Sequence, residues 1–228
     1  MAVVARPLAH PSARLGIRML IPAALLLLIA AGASGLDVGL DPYRQAAQTR
    51  QVGIVAGRIF EESRTPDGPV RPLGGATVNL LPRSAELLTA LERFRDDARS
   101  SSKAFAAAAP AMRKAQEALE RQLVVAGAPD LAPRVAVDAD GTFRLTDVPA
   151  GAWLVLVWHG TPFDVAKAPR PPRDRLTYLP GKRTTGFQAV TLWLREITVA
   201  PNETVSLELT DRNGWFRGVF EESLDAGR

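Results

Sequence analysis

The spacing of apolar residues changes character twice along this chain, and that change limits the folds it can adopt. Residues 52–60 and 76–80 carry Val, Ile, Leu and Phe in the short, partly alternating pattern of β-strands. Residues 84–126 instead repeat apolar side chains every three or four positions, as an amphipathic helix does. Strand signals return at residue 135. The sequence therefore predicts a mainly β domain with an α-helical insertion at residues 84–126.

The insertion reads as two helical stretches separated by a break. Ser84 precedes the first stretch and suits an N-cap, because its hydroxyl can accept a hydrogen bond from an amide of the first turn. Residues 100–102, all serine, and Pro110 interrupt the pattern. A helical hairpin fits best, and one long kinked helix is the alternative. The apolar side chains at helical spacing are Leu87, Leu88, Leu91 and Phe94, then Met112, Ala115, Leu119 and Leu123.

The rest of the domain contains several short sequence patterns that predict turns. Residues 138–141 (DADG) predict a tight turn into the alternating strand 142–145, and residues 148–151 (VPAG) predict a second turn. Residues 153–158 (WLVLVW) are nearly all apolar, which indicates a central strand buried on both faces. Further strands are expected at 188–199, 204–210 and 215–220. About seven or eight strands with regular turns favour a β-sandwich.

The first 35 residues have the composition of an export signal or a membrane anchor. Arg6, Arg14 and Arg18 precede an apolar run from residue 19, and small residues follow it, with an Ala-x-Ala cleavage signal at residues 31–33. A membrane-spanning helix needs about 20 apolar residues. The run is slightly shorter, so we expect a cleaved signal peptide, with an uncleaved anchor at 19–35 as the alternative. Residues 36–50, which are polar and mixed, are expected to form a linker.

Charge and cysteine content narrow the class of protein. The formal charge of the whole chain is +4, but three of its 28 basic residues lie in the leader, so the remainder nearly balances the 24 acidic residues. A nearly neutral domain gives no reason to expect nucleic acid as a partner. The chain has no cysteine, so an exported domain of this sequence would be stabilised by burial alone, without disulfides. We expect a periplasmic or secreted protein, anchored in the inner membrane if the leader is retained.

Three stretches of the chain resemble a known family of domains. They are residues 55–59 (VAGRI), 72–80 (PLGGATVNL) and 138–153 (DADGTFRLTDVPAGAW). Together they are similar to the carboxypeptidase regulatory-like family, whose domains have a transthyretin-like (prealbumin-like) β-sandwich. The resemblance implies a prealbumin-like sandwich of seven to eight strands over residues 51–223, interrupted by the helical hairpin at 84–126. It also implies a mostly non-catalytic module of an exported protein.

The resemblance has one further consequence for acidic residues. In this family the first and last strands lie in one sheet. That arrangement would bring Glu61 and Glu62 close to Glu221 and Glu222, as an acidic patch that could attract a cation or as solvated strand ends.

A basic, proline-rich stretch is the candidate binding site. Residues 161–186 are expected to form a loop longer than a simple connection needs. Long loops on rigid sandwiches often carry recognition. The predicted binding residues are Lys167, Arg170, Arg173, Arg175, Lys182 and Arg183, opposed by only two aspartates. An envelope protein or an anionic glycan would be a suitable partner, and a loop held in place by its prolines is the alternative.

Catalytic, metal and cofactor sites are not expected. His159 is the only histidine after the leader and is expected at a strand end, hydrogen-bonded to backbone. The Asp138-x-Asp140-Gly141 motif resembles the start of a calcium loop, but Pro149 occupies the position of the bidentate glutamate. A carbohydrate-binding module is the alternative to a binding or assembly role. Exposed aromatic residues would support it, and the candidates are Trp153, Trp158, Trp193, Trp215 and Tyr178, most of which are expected in the core.

Overall fold

The computed structural model describes residues 36–63, 65, 68–163 and 183–224, with side chains left out at 162–163, 183–186 and 221–224. Three α-helices are present in this part of the chain: α1 Asp41–Gln48, α2 Ala85–Asp97 and α3 Ser102–Val125. The nine strands of the same part are β1 Val52–Glu61, β2 Arg71–Pro72, β3 Thr77–Pro82, β4 Arg134–Ala136, β5 Thr142–Pro149, β6 Gly151–Phe163, β7 Arg183–Val199, β8 Thr204–Thr210 and β9 Phe216–Leu224. A single 3-10 turn, Pro129–Leu131, precedes β4.

The strands form two sheets, as predicted for a β-sandwich. In the first sheet β1 pairs with β2 and β5 along one edge, both antiparallel, and with β8 in parallel along the other. The second sheet is antiparallel throughout, in the order β4-β3-β6-β7-β9. Eight strands were expected at most. The ninth is β2, two residues long, which forms only because Phe60 and Glu61 of β1 supply its hydrogen-bonding partners.

The core lies between the sheets and extends through the second sheet to its far side. Residues 153–158 of β6 are all buried, which confirms the prediction of a central strand covered on both faces. Trp193 of β7 faces the first sheet, because its indole Nε1 donates to the carbonyl of Thr210 in β8 at 2.8 Å. Leu192 pairs with Trp158 and faces the other way. The second sheet is therefore apolar on both sides.

The helical hairpin covers the outer side of the second sheet. Trp158 donates its indole N–H to Gln116 of α3 at 2.7 Å, and Phe105 of α3 lies 6.4 Å from Phe216 of β9, ring centroid to centroid. α2 packs against α3 and buries Leu87 and Leu91. The expected hairpin is therefore observed, and it forms a third layer of the fold.

The starts of the two hairpin helices follow the sequence signals, but the interruption expected at Pro110 is not observed. Ser84 accepts a hydrogen bond from the Leu87 amide at 2.9 Å, as predicted for an N-cap, and Ser101 caps α3 in the same way. Pro110 was expected to interrupt the helical pattern, but α3 runs through it. Ala109 and Met112 are fully buried on either side of the proline. This packing stabilises the helix at a position where proline removes a backbone hydrogen bond.

The stretch 36–50 is not the expected linker. It contains α1, whose Tyr43 is buried edge-on against Trp153, with ring centroids 5.0 Å apart, and hydrogen-bonded to the carbonyl of Ala152. Burial raises the pKa of the Tyr43 hydroxyl. Gly151 has φ 154, and a Cβ there would lie 2.7 Å from the Tyr43 ring. The glycine therefore allows this helix to dock on the end of the sandwich.

Membrane-spanning helices are not found in the described residues: none of the helices there is both long enough and apolar enough to cross a bilayer.

Candidate functional site

The basic residues predicted to bind a partner lie at and beyond the ends of two long paired strands. β6 and β7 pair from Gly151 and Val199 to Phe163 and Phe187, so strands occupy part of the expected loop 161–186. Arg183 is the first residue of β7, where its backbone pairs with Leu224, and its side chain is not among those described. The other five predicted residues, Lys167, Arg170, Arg173, Arg175 and Lys182, lie outside the described residues.

The strands that lead to this segment form an extension of the second sheet. β3 pairs with β6 only as far as Trp158. Beyond that point the sheet consists of β6, β7 and β9, paired at residues 159–163, 183–191 and 217–224. We call these residues the three-stranded arm. Residues 164–182, which we call the basic segment, connect β6 to β7 of this arm. The strands on either side of the segment are thus both held by backbone pairing.

An arginine is stacked on aromatic rings where the arm meets α3. The guanidinium carbon of Arg113 lies 4.9 Å from the ring centroid of Trp158 and 5.3 Å from that of Phe220. The two rings are 6.0 Å apart and inclined at 42°. Burial lowers the pKa of Arg113, although a guanidinium remains charged at neutral pH. The result is a fixed cation at the surface.

A polar network on the neighbouring part of α3 fixes the position of this arginine. Gln116, which accepts from Trp158, donates to Glu120 at 2.7 Å. Glu120 also accepts from Arg134 of β4 at 3.0 Å, and Arg134 in turn donates to the buried Asn79 of β3 at 2.8 Å. Hydrogen bonds thus connect α3 to three strands of the second sheet. They set the register of the helix, and with it the place of Arg113.

His159 is not at a strand end, because β6 continues to Phe163 opposite β7. It lies on the face opposite to that of Trp158. Burial lowers the pKa of its half-buried imidazole, and the nearby guanidinium of Arg71 lowers it further. His159 is therefore neutral at pH 7. Within the described residues, no group of three or more His, Cys, Asp or Glu side chains is arranged to hold a metal ion.

The Asp138-x-Asp140-Gly141 motif forms the predicted tight turn. The amide of Gly141 donates to the carbonyl of Asp138 at 2.9 Å, and Gly141 has φ 84, in the left-handed region. The Asp140 carboxylate accepts from the amide and the hydroxyl of Thr142, at 2.9 and 2.7 Å. These hydrogen bonds lower the pKa of Asp140. Its carboxylate therefore shapes the turn.

The four glutamates considered for an acidic patch, with solvated strand ends as the alternative, lie in different sheets. Glu61 and Glu62 are at the end of β1 in the first sheet, whereas Glu221 and Glu222 belong to β9 in the second. The expectation that the first and last strands share a sheet was wrong, because β9 pairs with β7 and not with a strand of the first sheet. Glu61 forms an ion pair with Arg71.

The tryptophans do not form an exposed aromatic row in the part of the chain that the structure describes. Trp153, Trp158 and Trp193 are at most 4% exposed, as expected for core residues. Trp215 immediately precedes β9 and is partly buried, with the Arg95 guanidinium 4.7 Å from its ring centroid. Tyr178 lies outside the described residues. An aromatic platform of tryptophans therefore gives no support for sugar binding.

Comparison with known proteins gives only distant similarities. No family model matches the sequence, and no curated protein matches it. Among solved structures, the chain is similar to a Pseudomonas aeruginosa protein named for a suggested carbohydrate-binding role. The two are 13% identical with a TM-score of 0.36. The similarity covers 75% of this chain and 97% of that one.

Two pilus proteins are similar at the same remote level. One is a minor pilin of Streptococcus agalactiae, at 8% identity and a TM-score of 0.29, over 78% of this chain and 47% of the pilin. The other is the pilus backbone protein of Streptococcus pneumoniae, at 12% identity and a TM-score of 0.26, over 69% of this chain and 40% of that protein. The chain thus spans less than half the length of either pilus protein. Similarities this distant assign no function.

Proposed function

We propose that this chain is an exported, non-catalytic β-sandwich module that binds an acidic partner at the bacterial cell envelope. The basic segment between β6 and β7 is the binding element. The proposal rests on one observation. Five basic residues and only two aspartates lie in the connection 164–182, and a sixth, Arg183, begins β7. This connection joins the two strands that are paired over the greatest length in the described part of the second sheet. Long connections on rigid frameworks are where binding residues concentrate.

The chemistry of the segment suits an anionic partner. Arginine forks match carboxylate and phosphate groups, which an envelope protein or an anionic glycan offers. Pro162 at the end of β6 and the four prolines of the segment, Pro169, Pro171, Pro172 and Pro180, restrict its unbound conformations and so reduce the entropy lost on binding. Each exposed ion pair contributes about 0–1 kcal/mol. Binding is therefore collective and weakened by salt.

Removing the charge of the segment is expected to weaken binding without loosening the fold. We predict that changing Arg170, Arg173, Arg175 and Arg183 together to glutamine lowers affinity for an envelope fraction by about tenfold or more and flattens its salt dependence. The measurement is a binding assay at several salt concentrations, together with thermal unfolding of each variant.

A control variant removes the same number of positive charges elsewhere. Arg99, Lys103, Lys114 and Arg144 are exposed and become glutamine in the control. The control should bind as the parent does. Equal losses in the two variants would mean that only net charge matters. Unchanged binding by the first variant, with a large loss of thermal stability, would show that the segment is structural.

The finer assignment of the fold is also a proposal. We assign residues 51–223 to a carboxypeptidase regulatory-like sandwich on the three stretches of sequence similarity. Two features support it: the tight turn before β5, and the close approach of β1 to its neighbours at Gly57, where a Cβ would lie 2.3 Å from the carbonyl oxygen of Leu207. The pairing of β9 with β7 departs from the family pattern.

The proposed function also leads us to expect that the chain is exported. We predict that fractionation finds the protein in the periplasm with an N-terminus near residue 34, because cleavage signals of the Ala-x-Ala type precede the cut. N-terminal sequencing of the purified protein makes the measurement. If residues 19–35 instead remain as an anchor, the intact chain should be in the inner-membrane fraction. An intact chain in the cytosol, beside a cytosolic marker enzyme, would contradict export by either route.

Carbohydrate binding is the second candidate function. The surface where the arm meets α3 favours it, since a cation and an aromatic ring are presented there side by side.

A further inference from the structure

The guanidinium of Arg113 is held in place but makes no polar contact with the described residues. Its carbon lies over the rings of Trp158 and Phe220, at 4.9 and 5.3 Å from their centroids. No hydrogen bond or ion pair of Arg113 occurs within the described part of the chain. Burial lowers its pKa, while the negative charges of Glu117 and Glu120 act on it and raise its pKa against the effect of burial. Cation–π contacts hold the group by its face. Because no hydrogen bond to a described residue occupies its N–H donors, the guanidinium can bind a further anion.

Gln188 of β7 supplies a second polar group on the same face, one without a hydrogen-bond partner among the described residues. It pairs directly with Phe220 of β9, so the two side chains are neighbours on one side of the sheet. Gly160 of β6 makes room for it: a Cβ at Gly160 would lie 2.4 Å from the Gln188 amide nitrogen and 3.0 Å from its amide oxygen. The amide thus lies flat on β6, and among the described residues it has no hydrogen-bond partner.

We propose that Arg113, Gln188 and Phe220 form a binding subsite for the carboxylate-bearing ring of an acidic sugar. Arg113 would bind the carboxylate through its fork of N–H donors. Gln188, which is both a donor and an acceptor, would bind a hydroxyl. The part of the Phe220 ring that Arg113 and Trp158 do not cover would contact the apolar C–H side of the sugar ring. This inference rests on the proposed function, the binding of an anionic partner, and names the chemical class of that partner.

The combination of groups favours a sugar over an acidic segment of protein. A carboxylate alone would need only the arginine. The adjacent amide and the partly buried phenyl ring match a ligand that carries hydroxyls on its edge and C–H groups on its face. An extended peptide would gain its main affinity by pairing with a strand edge, whereas these three side chains project from the face of the sheet. A uronic acid has all three of the required features.

The experiment compares oligosaccharides that differ only in the acid group. Full-length protein, in detergent micelles if its leader is retained, is titrated with trigalacturonic acid and with the neutral galactose trimer, followed by saturation-transfer NMR. We expect the acidic trimer to bind and the neutral trimer to bind at least about tenfold more weakly, since a hydrogen bond to a charged group commonly contributes that much. Arg113→Gln should reduce affinity for the acidic trimer by a similar factor.

Three further variants separate the roles of the residues. Arg113→Lys keeps the charge but loses the fork, and should still reduce affinity several-fold. Gln188→Leu should weaken the acidic and the neutral trimer alike. Lys114→Gln, which removes one charge at the neighbouring exposed position, should bind as the parent does. Thermal unfolding of each variant establishes that it is folded.

Several results would overturn this inference. One is equal binding of the acidic and neutral trimers. Another is an equal loss of affinity for the acidic trimer in Arg113→Gln and Lys114→Gln. A third is tighter binding of a polyglutamate peptide than of the trimer, with the same dependence on Arg113, which would make an acidic protein segment the occupant. If the four-arginine variant of the basic segment loses envelope binding while Arg113→Gln does not, the proposed function stands and this subsite does not.

Discussion

Replacing residues 84–126 by a short Gly-Ser linker is expected to abolish cooperative folding. The hairpin covers an apolar face of the second sheet, and its removal would expose five side chains on adjacent strands, namely Leu154, Leu156, Leu192, Leu194 and Phe216, which are at most 8% exposed in the intact protein. Each contributes about 1.5–3 kcal/mol through burial. Their sum is comparable to the total stability of a domain, about 5–15 kcal/mol.

A matched insertion separates loss of the helices from the effect of the linker. The same linker is placed between Ser100 and Ser101, in the turn that joins α2 to α3. This control keeps both helices and should lose about 1 kcal/mol or less, because loop-closure entropy grows slowly with length. Circular dichroism during heating and binding of a hydrophobic dye are the measurements. A sharp unfolding transition near that of the parent in the deletion variant would show that the hairpin is an accessory.

Local patterns were enough to predict most of the strands and the hairpin. Residues 142–145 alternate strictly and become part of β5, with Phe143 and Leu145 buried and their neighbours exposed. Residues 153–158 are uniformly apolar because both of their faces are covered. Ser84 has the side chain that a helix start needs. In each case the information lies within a few residues, so periodicity and capping rules suffice.

The elements that were missed depend on distant partners. α1 is a short helix in a polar stretch, and it is held by the contact of Tyr43 with Trp153 and Gly151, more than a hundred positions away. β6 passes through Gly160 and Pro162, residues that usually end strands, because β7 pairs with it over the whole distance. Tertiary contacts override local preference in both cases.

The two candidate sites also differ in whether they could be predicted from the sequence. The basic segment could be proposed as a candidate from composition alone, since its basic residues all lie within residues 167–182 of the chain. The surface formed by Arg113, Gln188 and Phe220 could not, because a helix and two strands bring its members together. The position of Arg113 depends on the register of α3 against the sheet, which the hydrogen bonds of Gln116 set. The alignment of Gln188 with Phe220 depends on the register of β7 against β9.

The link between the two sheets at Trp193 is the basis of the second large prediction. The Trp193 side chain is 1% exposed and reaches from β7 to the carbonyl of Thr210 in β8. Trp193→Ala would leave a cavity between the sheets and remove one of the two hydrogen bonds that the Thr210 carbonyl accepts, the other coming from the Asn213 amide at 3.2 Å. We expect a loss of about 3–5 kcal/mol in the free energy of unfolding. Urea denaturation followed by circular dichroism gives the value.

Two companion variants divide this loss into its parts. Trp193→Phe keeps most of the apolar volume but removes the indole donor of the Thr210 carbonyl, which still accepts from the Asn213 amide, so we expect about 0.5–1.5 kcal/mol. Trp215→Ala removes the same kind of side chain from a partly buried position beside Arg95, and it should cost clearly less than Trp193→Ala because less area is buried. If Trp215→Ala proved the more destabilising change, the sheets would not be joined chiefly through Trp193. If Trp193→Phe cost as much as Trp193→Ala, the hydrogen bond to Thr210, and not the filled volume, would hold the two sheets together at this point.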